Sequence, residues 1–473
     1  MAELEDEKAP LVQAVPDDLR DDEGEIRADF VEAVAASIEA GNADDLRALA
    51  GDLHEADLGA LIEALEADQR TRLVELLGDD FDFVALTEVD EKVREDILED
   101  LPPETVAEGV RDLESDDAVT ILEYLDPEDQ EEILEALPAV DRLAIQRSLD
   151  YPENSAGRLM QTTLVRTPPF WTAGQTLDHI HDISDDELPD SFFEVFVVDP
   201  AHRLLGNIFL DKLVRARRSS KLEELMDPDR RRVLVTDDQE EVARFFERYN
   251  LVSAPVVDEA DRLVGVITID DIVDVIREEA AEDIGALGGV SPQEELSDTV
   301  LWITKSRFTW LFVNLITAFI ASSVIGLFED QVQKMVALAV LVPIVASQGG
   351  NAATQTMTIA VRALATRELT RANAWRVVRR EVLVGCVNGI GFGIITGIAA
   401  ATWFGMASLG FVIALAMFTN LVAGALGGIL IPMVLEKFDA DPAVSSGAFV
   451  TTVTDVVGNF AFLGIATLWF GLW

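Results

Sequence analysis

Asp455 has the clearest chemical potential in this sequence, because it lies alone in a long apolar segment. No other charged residue occurs from Ala443 to Trp473. An ionised carboxylate at membrane depth is costly unless it faces a partner or a water-filled path. The position of Asp455 therefore predicts a pathway for a cation, and the rest of the chain has to indicate which cation.

Asn351 and Gln355 lie in a second apolar segment, shortly after Pro343 and the pair Gly349-Gly350. Proline removes a backbone donor and glycine favours helix breaking. Broken backbone at membrane depth survives only beside a cavity or inside protein. The glycines alone favour a close helix contact. With Asn351, Gln355 and Asp455 nearby, we predict a broken second span that lines a pore.

Five apolar stretches must position these residues, and each can cross a hydrocarbon core of about 30 Å. They cover about 308–328, 332–360, 382–404, 408–434 and 444–471. Basic residues precede the first stretch and separate the second from the third, whereas Glu329 and Asp330 lie on the opposite side. The rule that basic loops stay inside predicts a cytoplasmic N-terminus and an extracytoplasmic C-terminus. We expect a multi-pass protein in the lipid bilayer of the cell (inner or plasma) membrane.

The charge of the chain is divided unevenly. Its 473 residues have a formal net charge of −51, yet residues 303–473 hold 10 Lys and Arg against 8 Asp and Glu. The acidity therefore belongs to the first 302 residues. It excludes nucleic-acid binding, which needs a basic surface, and it is typical of a halophile's solvated surface.

Other function classes find little support in the sequence. The single Cys386 cannot form a disulfide framework or a thiolate metal site. The first twenty residues lack the basic and apolar regions of a signal peptide. No P-loop, nucleophile elbow or His-based metal motif occurs, so we do not expect an enzyme.

Residues 26–152 follow an acidic tail, 1–25, that we expect to be disordered, and they contain a repeat. Aliphatic residues recur every twelve positions at Leu53, Leu65, Leu77, Val89, Leu101, Leu113, Leu125, Leu137 and Leu149. Aliphatic residues one helical turn earlier and cap residues after many of them indicate short amphipathic helices. Such units cannot bury their apolar stripes alone, which predicts an α-helical superhelix.

Residues 153–277 contain two similar segments, in which an apolar strand ends at Asp199 or Asp258 before a turn, a second strand and a helix. An amphipathic helix precedes each strand pair, so a duplicated β-α-β-β-α order is predicted. This pattern resembles a tandem pair of CBS domains, which usually form nucleotide- or ion-sensing modules. The spacing of Gly265, Thr268 and Asp271 is similar to the ribose-phosphate motif of nucleotide-binding CBS domains, which implies ATP as a candidate cofactor of the CBS pair.

The chain as a whole resembles the MgtE family of magnesium transporters. After the tail 1–25, the parts follow the family's order: helical N domain 26–152, tandem CBS domains 153–277, acidic connector (plug) helix 278–302 and transmembrane pore domain 303–473. The similar motifs are Gly349-Gly350-Asn351 with Gln355, the run 362–367, Asn420-Leu421-Val422, Asp441-Pro442-Ala443, and Thr452, Asp455 and Gly458. The resemblance implies a multidomain membrane protein with an α-helical superhelical N domain, α/β CBS domains and a five-span α-helical membrane domain.

The resemblance also implies a function, magnesium-selective uptake through a homodimeric channel or transporter. The implied pore ligands are Asp455, Asp441 near the cytoplasmic entrance, Asn351, Gln355 and Thr451. Magnesium is a hard ion that sheds water reluctantly, and two dyad-related copies of Asp455 would match its charge. No His or Cys stands in these pore motifs to hold a softer metal.

Cytoplasmic acids carried over from the same resemblance would bind regulatory Mg²⁺. They are Asp238, Glu240, Asp271, Asp274, Glu279, Glu282, Asp283, Asp116 and Asp117. Bound Mg²⁺ would bridge these acids and close the pore, and low Mg²⁺ would let them repel each other and open it. At about 1 M salt the Debye length is about 3 Å, so gating would require directly coordinated ions.

Three positions depart from the pattern of some relatives: Gly447, Thr451 and Asn250. The alternatives are a CBS-regulated carrier of another cation (Co²⁺, Mn²⁺ or an exchanged proton) and a membrane-anchored nucleotide sensor. A mere anchor needs neither a buried acid nor a Gly-Gly-Asn motif, so the sequence favours transport.

Overall fold

The computed structural model describes residues 19–472 except 22–23, 124, 185–187, 190, 228–230, 292–293, 295–298, 371 and 439–441, and it does not describe the side chains of 140, 442 and 444–446. The chain forms two compact units, Met1–Arg277 and Glu278–Trp473.

Short helices build the first part of the first unit, as the twelve-residue repeat predicts. They are α1 (Ala28–Ala40), α2 (Ala43–Ala50), α3 (Glu55–Ala64), α4 (Ala67–Leu77), α5 (Glu91–Asp100), α6 (Pro103–Arg111), α7 (Ser115–Leu122), α8 (Pro127–Ala136) and α9 (Ala139–Leu149). Asn42 caps α2 and proline begins α6 and α8. The repeat residues Leu65, Leu101 and others pack into one continuous apolar core.

Two local expectations for this region are wrong. Between Leu77 and Val89 the chain forms two 3₁₀ helices, Gly78–Asp80 and Phe83–Leu86, instead of an α-helix. Gly78 has a φ of 56° and ends α4, which prevents the helical repeat from continuing. At the end of the predicted disordered tail, Leu19 is buried and Arg20 forms an ion pair with Asp57.

The rest of the first unit contains two three-stranded sheets. The first comprises β1 (Arg166–Thr167), β2 (Glu194–Val198) and β3 (Leu204–Phe209), with helices α10 (Ala156–Leu159), α11 (Ala173–Asp182), α12 (Leu210–Arg215) and α13 (Leu222–Leu225). The second comprises β4 (Val233–Leu234), β5 (Ser253–Val257) and β6 (Leu263–Thr268), with α14 (Gln239–Tyr249) and α15 (Ile269–Gly288). In each sheet a parallel pair adjoins an antiparallel pair, which confirms the predicted β-α-β-β-α order.

The duplication extends to the turns. Asp199 Oδ1 accepts hydrogen bonds from the backbone N–H groups of Ala201 and Arg203. Asp258 Oδ1 accepts the same pair from Ala260 and Arg262. The Asp residues that mark both repeats in the sequence therefore close two equivalent turns between the antiparallel strands.

The connector is not a separate helix over 278–302, the range that the sequence predicts, because it continues the last helix of the second CBS repeat and ends at Gly288. Helix α15 runs without a break from the end of β6 through Gly285 to Gly288, and Gly289 follows with a φ of 72°. Isolated glycines are tolerated within a helix, whereas a positive φ ends it. The last helical turns of α15 belong to the second unit.

Five helices of the second unit are long and apolar enough to cross a membrane, as predicted. They are α16 (Val300–Gly326), α18 (Val336–Ala365), α19 (Ala374–Phe404), α20 (Ala407–Lys437) and α21 (Pro442–Phe470), and the short α17 (Glu329–Lys334) separates the first two. Helix α20 packs against α18, α19 and α21 and forms the centre of the bundle.

The predicted break in the second span is wrong, because α18 is a continuous helix with Pro343 inside it. The adjacent glycines differ in their surroundings. A Cβ atom on Gly349 would lie 2.0 Å from Asn420 Nδ2, whereas one on Gly350 would meet nothing within 4 Å. Gly349 is thus required by close helix packing, which is the alternative that the glycines alone favour in the sequence.

Candidate functional site

Asp455 lies on α21 and is half-buried within the single chain. Among the described residues, its carboxylate has no hydrogen-bond or ion-pair partner. One turn earlier, Thr451 is exposed and its hydroxyl donates to the Gly447 carbonyl at 2.9 Å. The Thr451 oxygen keeps its acceptor capacity for water or an ion. Asp441, the other predicted pore acid, lies outside the described residues.

Asn351 and Gln355 lie one turn apart on α18, and both are exposed. Neither side chain has a hydrogen-bond partner in the part of the chain that the structure describes. Polar side chains exposed on a membrane-spanning helix face a water path or another protein surface, since lipid cannot satisfy them. Helices α18 and α21 pack directly against each other, so the predicted pore residues lie on neighbouring helices.

Gly447 lies one turn before Thr451 on α21. It is one of the positions that depart from the pattern of some relatives. A Cβ atom there would meet nothing within 4 Å. The backbone of Gly447 is helical, so neither conformation nor packing requires glycine. The absence of a side chain leaves open space at this position, and the carbonyl oxygen of Gly447 accepts the hydrogen bond from the Thr451 hydroxyl.

Three of the predicted acids of the first unit, Asp116, Asp117 and Asp271, lie near each other where the N domain meets the second CBS repeat. Asp116, in the first turn of α7, is 6% exposed. Burial raises the pKa of its carboxyl well above the usual range, and the charges of Asp271 and Asp117 add to the rise. Asp271, in the first turn of α15, lies 155 positions later in the sequence.

The pKa of the Asp271 carboxyl is raised as well. Desolvation is the largest cause of this rise, which brings the pKa to about 7, and hydrogen bonds from Thr268 act against it. The negative charges of Asp270 and Asp117 add to the rise. The Thr268 hydroxyl and backbone N–H donate to Asp271 Oδ2 at 2.8 and 3.3 Å. The predicted nucleotide motif is therefore used, at least in part, to fix a carboxylate beside the N domain.

Polar contacts hold the N domain at this position. Gln161 Nε2 donates to Glu114 Oε2 at 3.1 Å, and the Thr162 N–H donates to Ser115 Oγ at 2.8 Å. Glu114 and Ser115 directly precede Asp116. These bonds bring like charges together, an arrangement that a dication would stabilise.

The remaining predicted acids of the first unit have local structural roles. Asp238 caps α14 by accepting the Glu240 N–H at 3.0 Å, and Glu240 forms an ion pair with Arg244 one turn later. Asp274 pairs with Arg277 at 3.2 Å. Asn250, where some relatives have an acid, has a φ of 49° and ends α14 in the left-handed region that asparagine tolerates.

Glu279, Glu282 and Asp283 share one face of α15 in the second unit, and all three are partly exposed. Three residues later, Ala286 is buried against apolar residues of two membrane helices. Its cluster contains Ala353, Met357 and Val361 of α18 and Ala443 and Val450 of α21. The end of α15 thus contacts the two helices that carry the predicted pore residues.

No group of three or more His, Cys, Asp or Glu side chains arranged to hold a metal occurs in the described ranges. Asp116, Asp117 and Asp271 are instead a loose cluster. Loose carboxylates suit Mg²⁺, which usually keeps several waters and takes one or two carboxylates from the protein.

A small, partly open cleft lies between the CBS repeats. Its lining includes Thr268 and Phe192, and it includes the carboxylate of Glu194. Glu194 joins the sheets, because Ser253 Oγ of β5 donates to Glu194 Oε1 at 2.8 Å and Asn207 of β3 donates to Oε2. None of the described lining residues is basic. Sequence reasoning missed Glu194, because an acid inside an apolar strand gives no periodic signal.

Gly265, the first residue of the predicted nucleotide motif, is a glycine because the backbone is closely packed at this position. A Cβ atom there would lie 2.6 Å from Met160 Sδ and 2.8 Å from the Gln161 carbonyl oxygen. Glycine is required where the first CBS segment crosses β6.

A bundle of five apolar helices with exposed polar residues, joined to CBS domains that bring acids together, defines a regulated membrane transporter of cations. Three family models match the chain: MgtE, a divalent cation transporter, at residues 342–465; the MgtE intracellular N domain at 53–154; and the CBS domain at 222–278.

The chain is similar to proteins named magnesium transporter MgtE. That of Bacillus subtilis (strain 168) is 30% identical over 431 residues, which are 90% of this chain and 94% of the relative. That of Thermus thermophilus is 30% identical over 453 residues, or 91% and 96%. A crystal structure of the cytosolic domain of the Mg²⁺ channel MgtE in complex with ATP is 28% identical, with a TM-score of 0.48, and covers 52% of this chain and 99% of that one. The chain belongs to the MgtE family.

Proposed function

We propose that this protein carries Mg²⁺ across the cell membrane into the cytoplasm, that Asp455 contacts the hydrated ion, and that cytoplasmic Mg²⁺ closes the path. The observation that carries the proposal is the Asp455 carboxylate, unpaired among the described residues, on a membrane helix of an MgtE-family chain. Asn351, Gln355 and Thr451 would add neutral oxygens for hydrogen bonds to the ion's water shell.

Uptake by the full chain in proteoliposomes tests the pore acid. An internal fluorescent indicator would report Mg²⁺ entry for wild type and Asp455→Asn, which keeps the shape and removes the charge. We expect a loss of at least tenfold in the variant, because removal of a site's charge weakens attraction of the dication. Asp330→Asn, in the exposed α17, is the matched control. Wild-type uptake by Asp455→Asn would refute the role of Asp455.

A homodimer is part of the proposal. A single Asp455 supplies one negative charge, and a dyad through the pore would bring a second. The exposed apolar face of α16, which includes Phe308, Leu311 and Leu315, suits lipid or a second copy. Light scattering in detergent would measure the mass, and a purely monomeric, active protein would contradict this arrangement.

The proposal also requires that the protein transports Mg²⁺ in preference to other divalent cations. Parallel flux measurements with Mg²⁺, Mn²⁺ and Co²⁺, with and without a pH gradient, would rank the cargo. Flux of Mn²⁺ or Co²⁺ that exceeds that of Mg²⁺ at equal concentration would favour the alternative of another cation.

The gate is proposed to depend on Asp116, Asp117 and Asp271. Mg²⁺ bound between them would hold the N domain against the second CBS repeat. Helix α15 carries Asp271 at its first turn and Ala286 near its end, and it would transmit this state to α18 and α21. Glu279, Glu282 and Asp283 would bind further Mg²⁺ along the same helix, with Asp238, Glu240 and Asp274 as weaker candidates.

Patch-clamp recording tests the gate at fixed, high KCl, so that screening stays constant. Raising cytoplasmic Mg²⁺ should close wild type, and Asp116→Ala with Asp271→Ala should raise the half-inhibiting concentration severalfold. Asp211→Asn, an exposed acid of the first repeat, is the control. Closure of the double variant at the wild-type concentration would exclude the cluster from gating.

ATP binding is a separate proposal that rests on the spacing of Gly265, Thr268 and Asp271. Because Asp271 is also proposed to bind Mg²⁺, the two ligands would compete for one carboxylate. Calorimetry of the full chain would detect weaker ATP binding after Mg²⁺ saturation. Unaltered ATP affinity would place ATP away from the Asp271 carboxylate.

A further inference from the structure

Asn420, at the centre of α20, is a polar residue that the proposed ion path does not use. Its exposed fraction is 0%. Its Nδ2 donates to the Val345 carbonyl of α18 at 2.8 Å, a bond that only the amide nitrogen can make. Its Oδ1 is buried and has no hydrogen-bond partner among the described residues.

Two glycines on different helices face this amide. A Cβ atom on Gly349 of α18 would lie 2.0 Å from Asn420 Nδ2, and one on Gly458 of α21 would lie 2.5 Å from the same atom. At both positions the three nearest atoms belong to the Asn420 side chain. One amide therefore fills the space where three membrane helices meet, and it leaves no room for a side chain at Gly349 or Gly458.

This arrangement is expensive if packing is its sole purpose. A buried carbonyl oxygen without a hydrogen-bond partner destabilises the folded state, and a leucine has similar volume and no polar atoms. Its nitrogen, however, fixes α20 to one carbonyl of α18, which an apolar side chain cannot do. Directional bonds between membrane helices set their relative position.

The two contacts lie beside the residues proposed to meet the ion. Gly458 follows Asp455 by three residues, nearly one helical turn, and Gly349 precedes Asn351 by two. A shift of α21 against α18 at this junction would displace Asp455 relative to Asn351.

We propose that Asn420 is a positioning residue of the ion path: its amide sets the spacing of α18 and α21, and thereby the distance between Asp455 and the polar face of α18. This inference rests on the proposed function of Asp455. It predicts that Asn420 controls which hydrated ion fits, although it does not contact the ion.

The test measures ion discrimination, which a purely structural role would not change. Full-length Asn420→Leu in proteoliposomes is compared with wild type for the half-saturating Mg²⁺ concentration and for the ratio of Mg²⁺ to Mn²⁺ uptake. We expect each quantity to change by about fivefold, in the range of one lost hydrogen bond, with the same amount of monodisperse protein. A wild-type ratio and half-saturation would overturn the proposal.

A second set of variants decides the matter if Asn420→Leu does not fold. Gly458→Ala should disturb the junction, and Asn420→Gly with Gly458→Ala should restore folding by removing the clashing side chain. The restored double variant should still discriminate poorly. Gly464→Ala, where a Cβ atom meets nothing within 4 Å, is the matched control on α21. Normal discrimination by the double variant would show that Asn420 only fills space.

Asp455→Asn in the same assay separates this inference from the proposed function. If Asp455→Asn transports like wild type, the ion path is wrongly assigned and Asn420 positions nothing. If Asp455→Asn is inactive while Asn420→Leu discriminates normally, only the positioning role fails.

Discussion

The carboxylates of Asp116 and Asp271 repel each other where the N domain meets the second CBS repeat, and burial raises the pKa of both. Neither residue is exceptional in the sequence, since 87 acids are present. Within the part of the chain that the structure describes, neither carboxylate forms an ion pair, although Asp116 is buried and Asp271 is half-buried. Hydrogen bonds around Glu114 and Ser115 maintain this contact.

The first prediction concerns pH. The pKa of Asp271 is raised from its ordinary 3.8 to about 7, so the folded state holds this proton more tightly than the unfolded state. Without Mg²⁺, the free energy of unfolding should therefore fall as pH rises from about 4 to about 7. Hydrogen exchange of the full chain at several pH values would report loosening of α7. Asp271→Asn should flatten the dependence, and an equal slope in that variant would contradict the assignment.

Mg²⁺ should bind more tightly as pH rises, because its carboxylate ligands must be deprotonated. Calorimetry of the full chain at pH 6 and 8 would show a stronger cytoplasmic site at pH 8 and proton release that is largest near pH 7. Asp116→Asn should remove this component and leave other, solvent-exposed sites unchanged. Binding that is independent of pH would place the regulatory ion on ordinary surface acids.

A third prediction concerns the carboxyl of Glu194 between the CBS sheets. Glu194→Ala would leave Ser253 and Asn207 without their acceptor, and we expect a loss of ~2–3 kcal/mol in the free energy of unfolding. Glu194→Gln keeps an acceptor oxygen and should lose less. Thermal denaturation of the soluble part within the full chain would compare them. Equal losses would mean that volume, and not hydrogen bonding, matters at this position.

Salt should stabilise the protein strongly. The first 302 residues hold 26 Lys and Arg against 79 Asp and Glu, a net charge of −53. Several ion pairs among their described residues are exposed and contribute little. Raising KCl from about 0.1 M to about 1 M shortens the Debye length from about 10 to about 3 Å, so we expect the unfolding temperature to rise. An unchanged temperature would argue against a halophilic surface.

Much of this architecture could be predicted from local patterns. The twelve-residue repeat, the turns at Asp199 and Asp258 and the five spans are consequences of periodicity within short windows. The break expected at Gly349 was wrong because glycine has two uses, and only the position of Asn420, 71 residues later, decides between them.

The candidate sites were predictable to different degrees. Asp455 was identifiable from its apolar surroundings, and the family resemblance supplied Asp116 and Asp271 as candidates. Their contact depends on how α7 packs beside the second CBS repeat, which no local pattern contains. The same applies to Glu194, whose partners Asn207 and Ser253 come from other strands.

The last prediction concerns the end of α15. Ala286 is 3% exposed and belongs to one apolar cluster with Met357 and Val361 of α18 and Val450 of α21. Ala286→Leu would overpack this contact at a cost of ~1–3 kcal/mol. If α15 holds the pore helices closed, the half-inhibiting cytoplasmic Mg²⁺ concentration should rise severalfold, while uptake at low Mg²⁺ stays near wild type.

Ile284→Ala is the matched control, because Ile284 lies on the same helix and is 73% exposed. Its inhibition by Mg²⁺ should be that of wild type. Patch-clamp recording of both variants at constant KCl gives the two concentrations directly. Equal inhibition of Ala286→Leu and Ile284→Ala would mean that the gate does not act through the contact between α15 and the pore helices, whatever ion the acidic cluster binds.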